Sequence, residues 1–453
     1  MMKIKQWGFI GLASVMMLAG CSSGKEAGPK LTEDGKKIVV IGTAGSTRFL
    51  QEAEKAFETK HPDIDIQIKK YGPEEKKNDG GGMATGQVMT RDEYDQFISR
   101  LNTEVLSGKG PDIMDTSGLS LGVYANKGAV VDLHEMMKKD NAFKTSDYFE
   151  GLWQATEING GLYALPTSYF VNTMMVDTRR LEQANVKLDD AKWTWNDFFA
   201  IVDQIKKSSS DEVYALGTNG PKGELLYSIV EADYERYVQH DKKTANFDSD
   251  EFRQMMQHVK GLYDKGFITN YDGGIDSMDK LMFTQNTYTT PEMLAAFSYT
   301  PGWKSVLPPT AAGTSSGLPF QPMGTYSINA KSGVKDEAWQ FLKFMVSPEM
   351  QQSPELGGIP MLKELVNSKF EEIKKEVADG TSKMAIQIND PKDFARHVDE
   401  MKAMLDKTGK PSGMDPKIQS IISDEFKTFM DGSKSAEDVS QLIQSRVMTY
   451  LNE

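Results

Sequence analysis

The chain has 453 residues, 65 acidic against 52 basic, and a formal net charge of −13. That balance leaves no broad basic surface for nucleic acid, and a single cysteine excludes a disulfide framework. The five histidines are scattered without metal-ligand spacing, so no metal or other cofactor is expected.

Lys3 and Lys5 precede a ten-residue apolar run, Phe9 to Leu18, and then Leu18-Ala19-Gly20-Cys21. A basic start, a short apolar core and small residues before a cut site mark a secretory signal peptide. The run is shorter than the roughly 20 residues a membrane span needs. Its Leu-Ala-Gly-Cys ending resembles a bacterial lipobox, which implies removal of residues 1–20 and acylation of the Cys21 thiol. Residues 21–35 are rich in Ser, Gly, Lys and Glu and suit a tether. Removal of Lys3 and Lys5 leaves a net charge of −15. The remaining chain, roughly 430 residues, exceeds one core at about 100–200 residues per domain, so two or more lobes are expected.

Ile38 to Ile41 form a continuous apolar run, as in a strand buried on both faces. Ser46 or Thr47 then caps a helix whose Phe49, Ala53, Ala56 and Phe57 share one face, and His61-Pro62 stops it. Ile64, Ile66 and Ile68 alternate with polar residues as a second strand, which makes a β–α–β unit and an α/β fold. Residues 72–91 read as an exposed loop, Asp92 to Leu106 as a helix, and Asp112 to Asp115 as a short strand running into a loop. Further strands are predicted at Phe170–Val176 and Thr325–Ala330, with helices at 195–207, 223–237, 250–265 and 336–345. The last hundred residues carry helical periodicity near 362–378, 394–406, 415–430 and 436–451.

Five segments then acquire a collective meaning: Ala53 to Pro62, Ser107 to Met114, Asn159 to Pro166, Trp193 to Phe198, and Tyr326 to Ala330. In this order they resemble the family 1 extracellular solute-binding proteins, the lipid-anchored receptors of ATP-binding-cassette importers, of which maltose-binding protein is one. Each segment also has a local duty. Pro62 ends a helix, Asp112 is placed to bond backbone amides, Gly160-Gly161 permits a tight hairpin, and Thr194 or Asn196 caps the helix carrying Phe198. The resemblance implies a two-lobed, type II periplasmic-binding-protein-like fold with a hinge and the ligand between the lobes. By that analogy lobe one is 36–166 plus 306–352, and lobe two is 167–305 plus 353–453. The expected function is that of a non-enzymatic receptor held at the outer face of the cell membrane by lipid on Cys21. It captures a sugar or oligosaccharide as a monomer and passes it to membrane permease subunits.

Cleft residues belong at strand ends and helix N-termini. Gly45, Ser46, Thr47 and Arg48 fit in lobe one, with Arg48 able to hold two oxygens at once. Asp115, Thr116 and Ser117 follow the short strand toward the same region. Trp303, in the Gly/Pro loop Thr300 to Trp303, and Tyr169 are the stacking candidates for the flat C–H faces of a sugar. Tyr227, Glu231 and Tyr234 share a helical face that could reach the cleft from lobe two, while Trp153, Trp193, Trp195 and Trp339 have packing contexts. The individual sugar contacts of the maltose-binding pattern are not matched.

Two rivals are a lipid-anchored surface glycoside hydrolase and a surface lipoprotein without a transport role. The first needs two carboxylates about 5–10 Å apart, which 65 acidic residues neither support nor deny. His134-Glu135 lacks the second histidine of a zinc protease, and no nucleophile elbow precedes a helix.

Overall fold

The computed structural model describes residues 28–45, 47–72, 91–209, 212–218, 223–240, 242–270, 278–313, 317–384, 386, 388–411 and 413–452. Cys21, Ser46 and most of the expected 72–91 loop lie outside them.

Strand β1 (Lys37–Thr43) runs parallel to β2 (Ile64–Lys70), joined by helix α1 (Arg48–Lys60). Val39 and Ile41 are fully buried, and α1 lays Phe49, Leu50, Ala53 and Phe57 on the sheet. The Leu50 N–H donates to Thr47 Oγ1 at 3.1 Å, so Thr47 is the cap, and the helix ends at Lys60 ahead of His61-Pro62. Gly42 is required where it stands, because a Cβ there would lie 2.5 Å from Pro111 Cγ. Helix α2 (Arg91–Leu106) buries Phe97, Leu101 and Val105. Strand β3 (Ile113–Asp115) adds parallel to β1, and Asp112 binds the joint: its Oδ2 accepts from Val40 N–H at 2.9 Å and its Oδ1 from the Ser332 hydroxyl at 2.7 Å. Helix α3 (Leu121–Asn126) follows. Asn159-Gly160 then turns a short hairpin, with Gly160 at φ +82°.

The thirteen-residue strand β4 (Leu165–Asp177) is the molecule's spine. Next come α4 (Trp195–Ser208), opened by a Thr194–Asp197 capping box, and β5 (Tyr214–Thr218). The helix expected over 223–237 is α5 (Glu224–Ala232) followed by a separate turn at Tyr234–Tyr237. Then come α6 (Asp250–Asp264), β6 (Ile268–Asn270), β7 (Leu281–Tyr288), β8 (Trp303–Val306) and β9 (Leu318–Ile328). The chain finishes with α7 (Lys335–Met345), α8 (Lys363–Ala378), α9 (Pro391–Leu405), α10 (Pro416–Met430) and α11 (Ala436–Asn452). The main sheet runs β6-β5-β7-β4-β9-β3-β1-β2, with β8 also paired to β4. The fold is mixed α/β, with parallel pairs at both ends and antiparallel ones at the centre.

Two large apolar cores divide the molecule into two lobes. One gathers Val39, Phe57, Leu165, Tyr169, Phe320 and Trp339; the other gathers Met174, Trp195, Phe198, Ile229, Phe283 and Ile422. Strand β4 passes from the first to the second between Val171 and Met174, and β7 returns between Phe283 and Tyr288. Core membership departs from the boundary expected from the sequence in several places: Tyr169 and Val171 pack in the first core and Val306 in the second. Phe370 of α8 and Phe394 and Val398 of α9 pack in the first core, although 353–453 was assigned to lobe two. The helix Pro291–Phe297 also delivers Leu294 and Ala295 to the first core, although 167–305 was assigned to lobe two. Only α10 and α11 of the C-terminal helices join the second core. An amphipathic pattern reports that a helix has an apolar face, not which core that face meets.

Candidate functional site

Between the two cores lies a cavity of about 1370 Å³. One wall is the turn after β3, from Thr116 to Ser120, continuing into Leu121 and Val123 of α3. Opposite stand Glu231 and Asp233 at the end of α5, Tyr234, Asp415 before α10, and Tyr450 on α11. Gln321 and Thr325 of the central strand β9 complete the lining.

The β3 turn is held by hydroxyls. Thr116 Oγ1 donates to the Thr325 carbonyl at 3.2 Å and lies 3.3 Å from Ser327 Oγ, while Thr325 N–H donates to Ser117 Oγ at 3.0 Å. Asp115 secures the turn from behind, accepting from the Thr43 hydroxyl at 2.9 Å and from Ser117 N–H at 3.0 Å. Burial pushes its carboxyl above the usual carboxylate range, against the opposing effect of the Ser117 and Thr43 bonds.

The opposite wall is acidic and pinned. Gln321 Nε2 donates to Glu231 Oε1 at 2.6 Å. Burial, reinforced by the neighbouring Glu224 carboxylate, raises the Glu231 carboxyl to about 7. Ala311 N–H donates to Asp233 Oδ2 at 2.6 Å, and the Tyr234 hydroxyl sits 3.0 Å from His240 Nε2. Burial, with Asp415 nearby, pushes the Tyr234 hydroxyl upward. Asp415 caps α10 by accepting from Lys417 N–H at 2.9 Å through Oδ1, while its Oδ2 faces the Tyr450 hydroxyl at 3.0 Å. Hydroxyls, an amide and carboxylates beside the apolar side chains of Leu119, Leu121 and Ile158 suit a ligand with both hydroxyl edges and C–H faces. Among the described residues no group of three or more His, Cys, Asp or Glu is placed to hold a metal ion, and no helix is long and apolar enough to cross a membrane.

Of the residues singled out from sequence, Thr116 and Glu231 line the cavity, as do Ser117 and Tyr234, and Asp115 braces it. The remainder stand elsewhere. Thr47 is an exposed helix cap, and Arg48 is exposed with an ion pair to Glu355 at 3.8 Å; neither is part of the lining. Tyr169 has no exposed surface: its ring packs edge-on to Phe149 and Phe320 in the first core. Trp303 begins β8, paired with Asp177 across the sheet, and packs against Met175, Met278 and Leu281. A Trp following Pro-Gly has no helical face to fill, but here it has a strand face. Tyr227 packs on the second core, outside the lining. Sequence reasoning missed Ser120, Gln321, Asp415 and Tyr450. Asp415-Pro416 carried a legible signal as a helix start, whereas Gln321 and Tyr450 carried none.

The profile of the bacterial extracellular solute-binding protein family matches residues 42–352. An uncharacterised lipoprotein of Streptomyces antibioticus is 22% identical over 193 residues, 42% of this chain and 37% of that protein. The erythritol/L-threitol-binding protein of Mycolicibacterium smegmatis is 23% identical over 313 residues, 61% of this chain and 64% of that protein. The matched stretches thus span less than two thirds of either relative. The solved structure of the sugar-binding protein MalE from Xanthomonas citri is similar with a TM-score of 0.58, at 16% identity, over 92% of this chain and 98% of that one. That likeness shows the fold, a two-lobed α/β architecture of the type II periplasmic-binding-protein kind.

Proposed function

Because the chain belongs to the bacterial extracellular solute-binding protein family, we propose that it binds a sugar or oligosaccharide between its lobes. It then delivers that ligand, chemically unchanged, to the membrane permease of an ATP-binding-cassette importer. The observation that carries this reading is the cavity walled by both lobes. A ligand there makes its full set of contacts only when the lobes are together, so its binding free energy draws the hinge toward closure. At about 1370 Å³ the space exceeds the roughly 300–1,000 Å³ of ordinary small-molecule pockets, which favours an oligosaccharide over a single ring. The rings of Tyr234 and Tyr450 are the aromatic surfaces offered to sugar C–H faces, and Thr116, Glu231 and Gln321 the polar partners for hydroxyls. The sugar- and polyol-binding relatives support the same ligand class. In this reading the receptor is a monomer held at the outer membrane surface by lipid on Cys21, and the lipoprotein relative is consistent with that anchor.

The test is a thermal-shift screen against a carbohydrate library. A concentration-dependent rise in Tm with at least one oligosaccharide, recovered intact afterwards, is the expected outcome. Absence of any shift, or cleavage of the sugar, overturns the reading.

A further inference from the structure

Two residues that line the cavity, one from each lobe, are joined by a direct side-chain contact. The Tyr450 hydroxyl lies 2.9 Å from Ser120 Oγ and 3.0 Å from Asp415 Oδ2, within hydrogen-bond reach of one partner in each lobe. Both ends are built to hold it. Tyr450 sits in the last turn of α11 with its ring packed on the second core. Asp415 is fixed by capping α10 through its other oxygen. On the facing lobe Ser120 occupies the N-cap position of α3, yet its side chain makes no capping bond to that helix. A serine at an N-cap ordinarily turns its oxygen to the helix amides; this one is turned across the cleft instead. The residues joined are 330 positions apart.

The geometry points to the Ser120–Tyr450 bond as a clasp that holds the two lobes together and that must break for the cleft to open. It rests on the hinge motion of the proposed function but not on the identity of the ligand. Like the Gln321–Glu231 bond, it joins residues of the two lobes without a ligand. It therefore biases the protein toward closure before a ligand arrives and slows escape afterwards. A neutral hydrogen bond of this kind shifts an equilibrium by about two- to tenfold.

The experiment is single-molecule energy transfer on the ligand-free full chain. Dyes are placed on Leu106→Cys in lobe one and Leu442→Cys in lobe two, both at exposed positions, in a Cys21→Ser background so that no third thiol is labelled. Ser120→Ala removes the cross-cleft bond alone, and Tyr450→Phe removes both bonds. The expected result is a rise of about two- to tenfold in the open-to-closed ratio in each variant. An unchanged ratio in Ser120→Ala overturns the clasp even if Tyr450→Phe opens the protein. Because no ligand is present, failure of every carbohydrate in the screen leaves this outcome readable.

Discussion

Glu231 shows how a single carboxyl can be costly to the fold and useful to the site. Its pKa stands at about 7 in the folded protein against an ordinary 4.5, first because it is buried and second because Glu224 is near. A carboxyl with a raised folded pKa binds more protons folded than unfolded, so stability falls as pH rises from about 4.5 to about 7, with the full cost present above that window. Glu231→Gln removes the charge and keeps a carbonyl oxygen for Gln321. Urea titrations should find the variant level with the parent near pH 4.5 and more stable by on the order of 1–3 kcal/mol at pH 8. An identical pH slope in both proteins would refute the assignment. At the same scale, Trp303 and Tyr169 teach a complementary lesson. Aromatics beside glycine, proline or a lobe crossing invite a ligand reading, but both rings bury their faces in apolar neighbours of their own lobe. Burial of a large ring is the stronger term, at about 1.5–3 kcal/mol or more per side chain.

Strand β9, whose Leu318, Phe320, Tyr326 and Ile328 all pack in the first core, departs from ordinary strand geometry at one residue. Gly324 adopts φ +57° within the strand, and its pairing with β4 passes from Met323–Ser168 to Thr325–Pro166 with Gly324 and Thr167 left between. A Cβ on Gly324 would meet Thr167 Oγ1 at 2.4 Å. Gly324→Ala therefore combines a left-handed backbone with a clash, and chemical denaturation should record a loss on the order of 1–3 kcal/mol. An unaltered midpoint would mean that the strand accommodates a side chain there. A cap at Thr194 or Asn196 is legible in the sequence, and the structure selects Thr194, which with Asp197 closes a capping box within four residues. The need for glycine at 324 is not legible there, since it answers to Thr167 on another strand.

On the scale of the whole molecule, two lobes, a shared cavity and a cross-cleft bond form the body, and lipid on Cys21 is the proposed link to a membrane. One acyl chain holds a membrane marginally and two hold it stably. Mass spectrometry of the membrane fraction should find lipid on Cys21, and Cys21→Ala should release the chain into the medium. A free, unmodified Cys21 thiol in membrane-bound protein would remove the anchor from the account.

Strand and helix periodicities, the helix starts at Ser46-Thr47 and at Thr194–Asn196, the stop before Pro62 and the β–α–β unit were all determined by the sequence itself. Each depends on neighbours a few positions away along the chain. Only the tertiary structure decided that α8 and α9 belong to the first lobe, that Trp303 is core, and that Ser120, Gln321, Asp415 and Tyr450 meet around one cavity. Local patterns specify which face of an element is apolar or where its amides need a partner. Which distant surface meets that face is settled by packing among all elements at once, across separations as large as the 330 positions between Ser120 and Tyr450.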